Sequence, residues 1–135
     1  MDYPVFHLPI KLYFQDTDMM GIVYHANYLT YFERARTEWF REAGFGFVAL
    51  AQEGIGFVIG KADIQWISPL SVDDAIVATA QVKNLGNSSM VLEQTVQRDG
   101  IVVCRADILM VCVDMASKKP IRLPDNIRVL FETGN

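Results

Sequence analysis

A chain of 135 residues with 51% hydrophobic and 21% charged side chains is long enough for one domain that buries roughly two-thirds of its unfolded surface, and too apolar to remain disordered. A net charge of −4, with no basic run longer than Lys118-Lys119, argues against nucleic acid as a partner. No stretch approaches the ~20 apolar residues of a membrane span, and Met1-Asp2-Tyr3-Pro4 lacks the positive and apolar regions of a secretory leader, so one domain over residues 1–135 in the cytoplasm is expected.

Residues 5–14 read as a first strand, interrupted by Pro9 and therefore expected at a sheet edge. A loop follows, Asp16-Thr17-Asp18-Met19-Met20-Gly21-Ile22-Val23-Tyr24-His25-Ala26-Asn27-Tyr28, in which two carboxylates, a glycine and a histidine precede a helix. Over residues 28–43, Tyr28, Leu29, Phe32, Ala35, Trp39, Phe40 and Ala43 recur at steps of three and four, the period of an amphipathic helix, with Asn27 placed to cap it and Gly44 to end it. Arg34, Arg36, Glu38, Arg41 and Glu42 read as its solvated face. Residues 47–53 add a helical turn or two before Gly54.

The rest of the chain is rich in strands. Residues 55–67 stop at Ser68-Pro69, residues 75–83 lead to a turn at Leu85-Gly86-Asn87, and residues 89–98 and 101–114 are joined through Asp99-Gly100, a tight-hairpin signal. One long helix and a meander of strands predict an α+β layout in which an antiparallel sheet covers the helix's apolar stripe. The uncovered sheet edge predicts self-association. Cys104 and Cys112 fall in one predicted strand, roughly 26 Å apart at ~3.3 Å per residue, too far for a disulfide and in phase with its buried face.

The chemistry is expected before the helix. The first turn of a helix offers N–H groups without intrahelical partners and the positive end of its dipole, so an oxygen gaining negative charge there is stabilised. Read from the residues alone, Asp18 is either a turn residue bonded to its own backbone or a reacting carboxylate. No serine stands in a Gly-x-Ser-x-Gly elbow, which disfavours a serine hydrolase. Asp16 reads best as a residue that shapes the loop, and a metal held by Asp16, Asp18 and His25 is disfavoured because no second histidine stands at ligand spacing.

The motif from Asp16 to Tyr28, followed by Tyr31-Phe32-Glu33-Arg34-Ala35-Arg36-Thr37-Glu38, resembles the signature of the hotdog-fold acyl-CoA thioesterases. Within them it is similar to the branch named after the Tol-Pal-associated thioesterase, a relative of 4-hydroxybenzoyl-CoA thioesterase; Val111-Cys112-Val113-Asp114 and the stretch from Lys119 to Pro124 also look like that branch. The resemblance implies a sheet wrapped around one long central helix, and a homodimer or homotetramer whose sites are built from two subunits. It implies acyl-CoA hydrolysis without a metal or redox cofactor, with Asp18 as nucleophile or general base and His25 in support, its N–H facing the oxyanion. Gly21, Val23, Tyr24, Ser88 and Ser89 are carried over as substrate-binding residues, and Lys61, Lys83 and Arg98 are candidates for the coenzyme A phosphates. Histidine at position 25, where the hydroxybenzoyl branch has an aromatic residue, fits an aliphatic acyl group. The alternative is a thioester-binding or scaffold subunit tied to the Tol-Pal envelope system or to acyl carrier protein.

Overall fold

The computed structural model describes residues 4–133, so residues 1–3, which carry part of the argument against a leader, lie outside the described residues. The chain runs through β1 (Phe6–Ile10), a 3-10 turn (Phe14–Asp16), α1 (Asn27–Glu42), α2 (Phe47–Gln52), β2 (Ile55–Trp66), β3 (Ile76–Leu85), β4 (Ser89–Arg98), β5 (Ile101–Asp114) and α3 (Asp125–Thr133). The strands form one antiparallel sheet in the order β1-β3-β4-β5-β2. α1 packs against β1, β3 and β4. This is the α+β arrangement expected from the sequence, and it is consistent with the hotdog fold.

β1 and β2 are the sheet edges, and Pro9 lies in β1, where a missing N–H costs the ladder least. β1 is shorter than its apolar run predicts. The chain leaves the sheet after Ile10 because the Asp16 carboxylate captures the Tyr13 N–H at 2.7 Å and folds the following residues into the 3-10 turn. β4 and β5 are joined through Asp99 and Gly100, both at positive φ (54° and 76°), as a two-residue hairpin requires.

The core sits between α1 and the sheet: Tyr31, Phe32, Ala35 and Phe40 of the helix are fully enclosed and face Ala78, Ala80, Leu92, Ile108 and Met110 of the strands. At the helix end, Phe40 meets the rings of Phe47, Phe57 and Phe131 at centroid distances of 4.9, 5.4 and 5.1 Å. α1 ends as expected, with the Gly44 N–H bonded to the Arg41 carbonyl and the Phe45 N–H to that of Phe40.

Three sequence expectations about α1 are corrected. Asn27 is its first residue rather than its cap, because the Asn27 amide instead donates to the Asp16 carbonyl at 2.8 Å. Leu29 points out of the stripe and is 45% exposed. Arg36, assigned to the solvated face, is buried among the apolar residues at 8% exposure.

α3 was not foreseen. Ile127 and Phe131 bury its inner face, Leu123 is buried just before it, and Phe131 lies 4.8 Å from Trp39, covering the end of α1. Pro124-Asp125 before apolar residues at four-residue spacing is the helix-start signal that predicts it.

Candidate active site

Asp16 is the anchor of the loop that leads into α1. One carboxylate oxygen accepts the Tyr13 N–H at 2.7 Å, the other accepts the Tyr31 hydroxyl at 2.7 Å, and its carbonyl accepts the Tyr24 N–H at 2.9 Å and the Asn27 amide. Tyr31 comes from the fully buried face of α1, so this contact nails the loop to the core. Burial, reinforced by the hydrogen bond to Asp16, holds the Tyr31 hydroxyl well above its usual pKa and keeps it a donor. The expectation that Asp16 shapes the loop agrees with this geometry.

From that anchor the chain makes a short hairpin. Thr17 pairs with Val23, the Asp18 N–H bonds to the Ile22 carbonyl at 2.9 Å, and the Gly21 N–H returns to the Asp18 carbonyl at 3.0 Å. Gly21 takes φ +77° with open space around the missing Cβ, so backbone conformation rather than crowding calls for glycine here. The Asp18 side chain is exposed and uses one oxygen, Oδ1, to accept the Met20 N–H at 2.9 Å. Oδ2 makes no hydrogen bond among the described residues. Asp18 therefore makes the local Asx bond and still presents a spare carboxylate oxygen to solvent.

On the other strand of the hairpin, Val23 is buried and its N–H bonds to the Leu70 carbonyl at 2.8 Å. With the Gly21 and Tyr24 N–H groups also committed, none of these three residues has a backbone donor to spare. The N–H groups of His25 and Ala26, just before α1, make no hydrogen bond among the described residues and lie at the surface. The helix start thus presents two free donors and the positive end of its dipole. His25 is held from both sides: its ring lies 4.5 Å from that of Tyr24 and edge-on to Trp66 at 5.7 Å, and its carbonyl accepts the Trp66 indole N–H at 3.0 Å.

The other predicted binding residues do not join this cluster within one chain. Ser88 and Ser89 lie at the β3–β4 turn, while the hairpin meets the opposite end of the sheet through Leu70 and Ser71; β4 separates them by roughly 30 Å at ~3.3 Å per residue. Arg98 is engaged by the Asp74 carboxylate at 3.1 Å and the Pro69 carbonyl at 2.9 Å, and Lys83 by Asp107 at 2.9 Å. Lys61 lies beside a bulge in the middle of β2. No group of three His, Cys, Asp or Glu side chains among the described residues is placed to hold a metal ion. Both cysteines are fully buried, and burial pushes the Cys104 thiol up to about 12, which keeps it protonated and unreactive.

Sequence reasoning missed two features. Trp66, exposed at 47% beside His25, falls inside the strand read over residues 55–67, and nothing in that reading singles it out. Arg36 donates from Nη1 to the Gln94 side-chain carbonyl at 2.8 Å, and Gln94, fully buried, donates onward to the carbonyls of Phe32 and Thr79. The signal for Arg36 was available, since it stands four residues from both Phe32 and Phe40 inside the apolar stripe.

Residues 12–131 match the thioesterase-like superfamily. The chain is 35% identical over 133 residues to a protein of Escherichia coli named acyl-CoA thioester hydrolase YbgC, covering 98% of this chain and 99% of that one. It is 32% identical to the Haemophilus influenzae protein named acyl-CoA thioesterase YbgC, over 93% of both chains. Among solved structures, a probable thioesterase from Bartonella henselae superposes with a TM-score of 0.85 at 30% identity, covering 90% of this chain and all of that one.

Proposed function

The chain belongs to the thioesterase-like superfamily, and from that premise we propose that it is an acyl-CoA thioester hydrolase whose reacting carboxylate is Asp18. The observation that carries this reading is the juxtaposition on one hairpin of a spare carboxylate oxygen at Asp18 and two unpartnered N–H groups at the start of α1. The names of the Escherichia coli and Haemophilus influenzae relatives support the same reaction class.

The chemistry follows from those groups. A thioester has an electrophilic carbonyl and a good leaving thiolate, so it needs no activated serine. Asp18 Oδ2 either attacks the carbonyl carbon, giving an acyl anhydride that water then opens, or takes a proton from a water that attacks directly. In both routes the carbonyl oxygen becomes an oxyanion, which the His25 and Ala26 N–H groups and the α1 dipole stabilise. The C–S bond then breaks, and the thiolate leaves as coenzyme A and takes up a proton. The His25 ring, propped between Tyr24 and Trp66, assists at the carbonyl or the departing sulfur. An aliphatic acyl group is the substrate class that best fits histidine at this position.

We further propose that the working unit is a dimer or a tetramer of dimers. β2 is a twelve-residue edge strand, and its Val58 and Ile59 are 49% and 46% exposed. Such an edge invites the same strand of a second copy.

Release of free thiol from short, medium and long acyl-CoA esters, with wild type and Asp18→Asn side by side, tests the reaction. Turnover by wild type that collapses in Asp18→Asn supports it. Tight binding of acyl-CoA or acyl carrier protein with negligible turnover by wild type points to the scaffold reading instead. Sedimentation of active protein tests the assembly, and a fully active monomer rejects it.

A further inference from the structure

A groove of about 380 Å³ runs between α1, α2 and the first half of β2, walled by Phe47, Ile55, Phe57, Ile59 and Met110. Two charged residues open onto it, Glu33 and Arg36. Arg36 is the unusual one: a guanidinium with five N–H donors, 8% exposed, set in an apolar wall. One donor is used, in the bond to Gln94. No fully enclosed side-chain nitrogen or oxygen among the described residues lacks a partner, so the remaining Arg36 nitrogens are not fully enclosed, and Arg36 lines the open groove.

No ion pair among the described residues neutralises this cation. Gln94 is uncharged, and its amide group is spent on Phe32 and Thr79. Glu33 is the one acid that acts on it, favouring the charged guanidinium against the larger cost of burial, but it is exposed, accepts the Thr37 hydroxyl at 2.8 Å and makes no ion pair with Arg36. A guanidinium held rigidly in an apolar wall is matched by a planar anion with two acceptor oxygens, which is a carboxylate.

We propose that this groove receives the far end of the acyl group and that Arg36 binds a carboxylate there, so the preferred substrates are thioesters of aliphatic dicarboxylic acids. The inference rests on the hydrolase reading and narrows its substrate class. Arg36 stands ten residues beyond Ala26, about 15 Å along the axis of α1, and its side chain leans back toward the helix start. The carboxylate and the thioester carbonyl are therefore roughly 10–15 Å apart, which calls for a chain of medium length whose methylene groups lie against the groove's apolar wall.

The test compares acyl-CoA esters of equal length that end in a methyl group or a carboxylate, by kcat/KM and by the Kd of the matching non-hydrolysable thioether analogues. Wild type is expected to favour the carboxylate member by about 10- to 100-fold at medium length, and Arg36→Gln to bring that ratio to one or below. A purely bracing Arg36 leaves the ratio unmoved, and an Arg36→Gln protein that keeps the preference overturns the inference. So does a wild type that shows no preference, a result that stands even where the variant does not fold. Turnover of methyl-ended esters alone rejects this inference and keeps the hydrolase reading. Absence of turnover on every ester rejects the hydrolase reading, and the Kd ratio then decides the carboxylate site independently.

Discussion

Asp16 and Asp18 stand two positions apart, yet the fold uses them in opposite ways. Asp16 has both carboxylate oxygens occupied, by the Tyr13 N–H and the buried Tyr31 hydroxyl, and its carbonyl holds two more donors. Asp18 is exposed, and one oxygen meets a single backbone N–H. A carboxylate with both oxygens hydrogen-bonded lowers the energy of one conformation, and any reaction at it would first have to break that conformation. A carboxylate with a spare oxygen costs the fold little and is free to react. The first residue anchors the hairpin that carries the second and leads into α1, the two features on which the proposed chemistry rests.

Substitution at the two positions should therefore separate activity from stability. Asp18→Asn keeps the acceptor for the Met20 N–H but cannot act as base or nucleophile, so turnover is expected to fall at least about 10³-fold with stability changed by less than about 0.5 kcal/mol. Asp16→Asn should cost about 1–3 kcal/mol in urea unfolding and reduce turnover far less. Equal losses of turnover at the two positions, with both proteins folded, would break the comparison.

His25→Ala sharpens it. The ring assists, but the His25 N–H belongs to the backbone and survives, so a loss on the order of 10²-fold, below that of Asp18→Asn, is expected in kcat. Tyr31→Phe tests the anchor from the other side: it strips a buried donor from Asp16 and should cost about 1–3 kcal/mol of stability, read by denaturant unfolding. A Tyr31→Phe protein as stable as wild type would mean that the hairpin is held by its backbone bonds alone.

Much of this was legible in the sequence. The bounds of β4 and β5, their tight hairpin and the antiparallel meander followed from alternation and turn residues, which act locally. The order β1-β3-β4-β5-β2 was not, because the pairing of β2 with β5 rather than β3 is decided by packing far along the chain. The motif marked Asp18, Gly21 and His25, while the assignment of spare donors to His25 and Ala26, and not to Gly21, Val23 or Tyr24, needed the hydrogen bonds themselves. Arg36 escaped for a different reason. A charge inside an apolar stripe reads as a surface residue unless its partner is known, and Gln94 lies 58 positions away.

The smallest expected effect lies behind the hairpin, where Asp74 braces the loop that carries Leu70 and Ser71. Its carboxylate accepts the Ser71 N–H at 2.8 Å and meets Arg98 at 3.1 Å, and these two contacts hold it below the usual carboxylate pKa. A folded value below the unfolded ~3.9 means that the charged form stabilises the native state; the contribution is complete above the unfolded value and is lost as pH falls through the folded one. Asp74→Asn retains an acceptor for Ser71, so it removes only the charge on Arg98, and with both side chains about one-third exposed that is worth about 0.5–1 kcal/mol at pH 7. In urea titrations the gap between wild type and Asp74→Asn should close as pH falls below the unfolded ~3.9 and through the lower folded value, beneath which both side chains are neutral. A gap that widens in acid would show that Asp74 is held by something other than its charge. The loop behind the hairpin would then rest on the Ser71 hydrogen bond and not on the Arg98 pair.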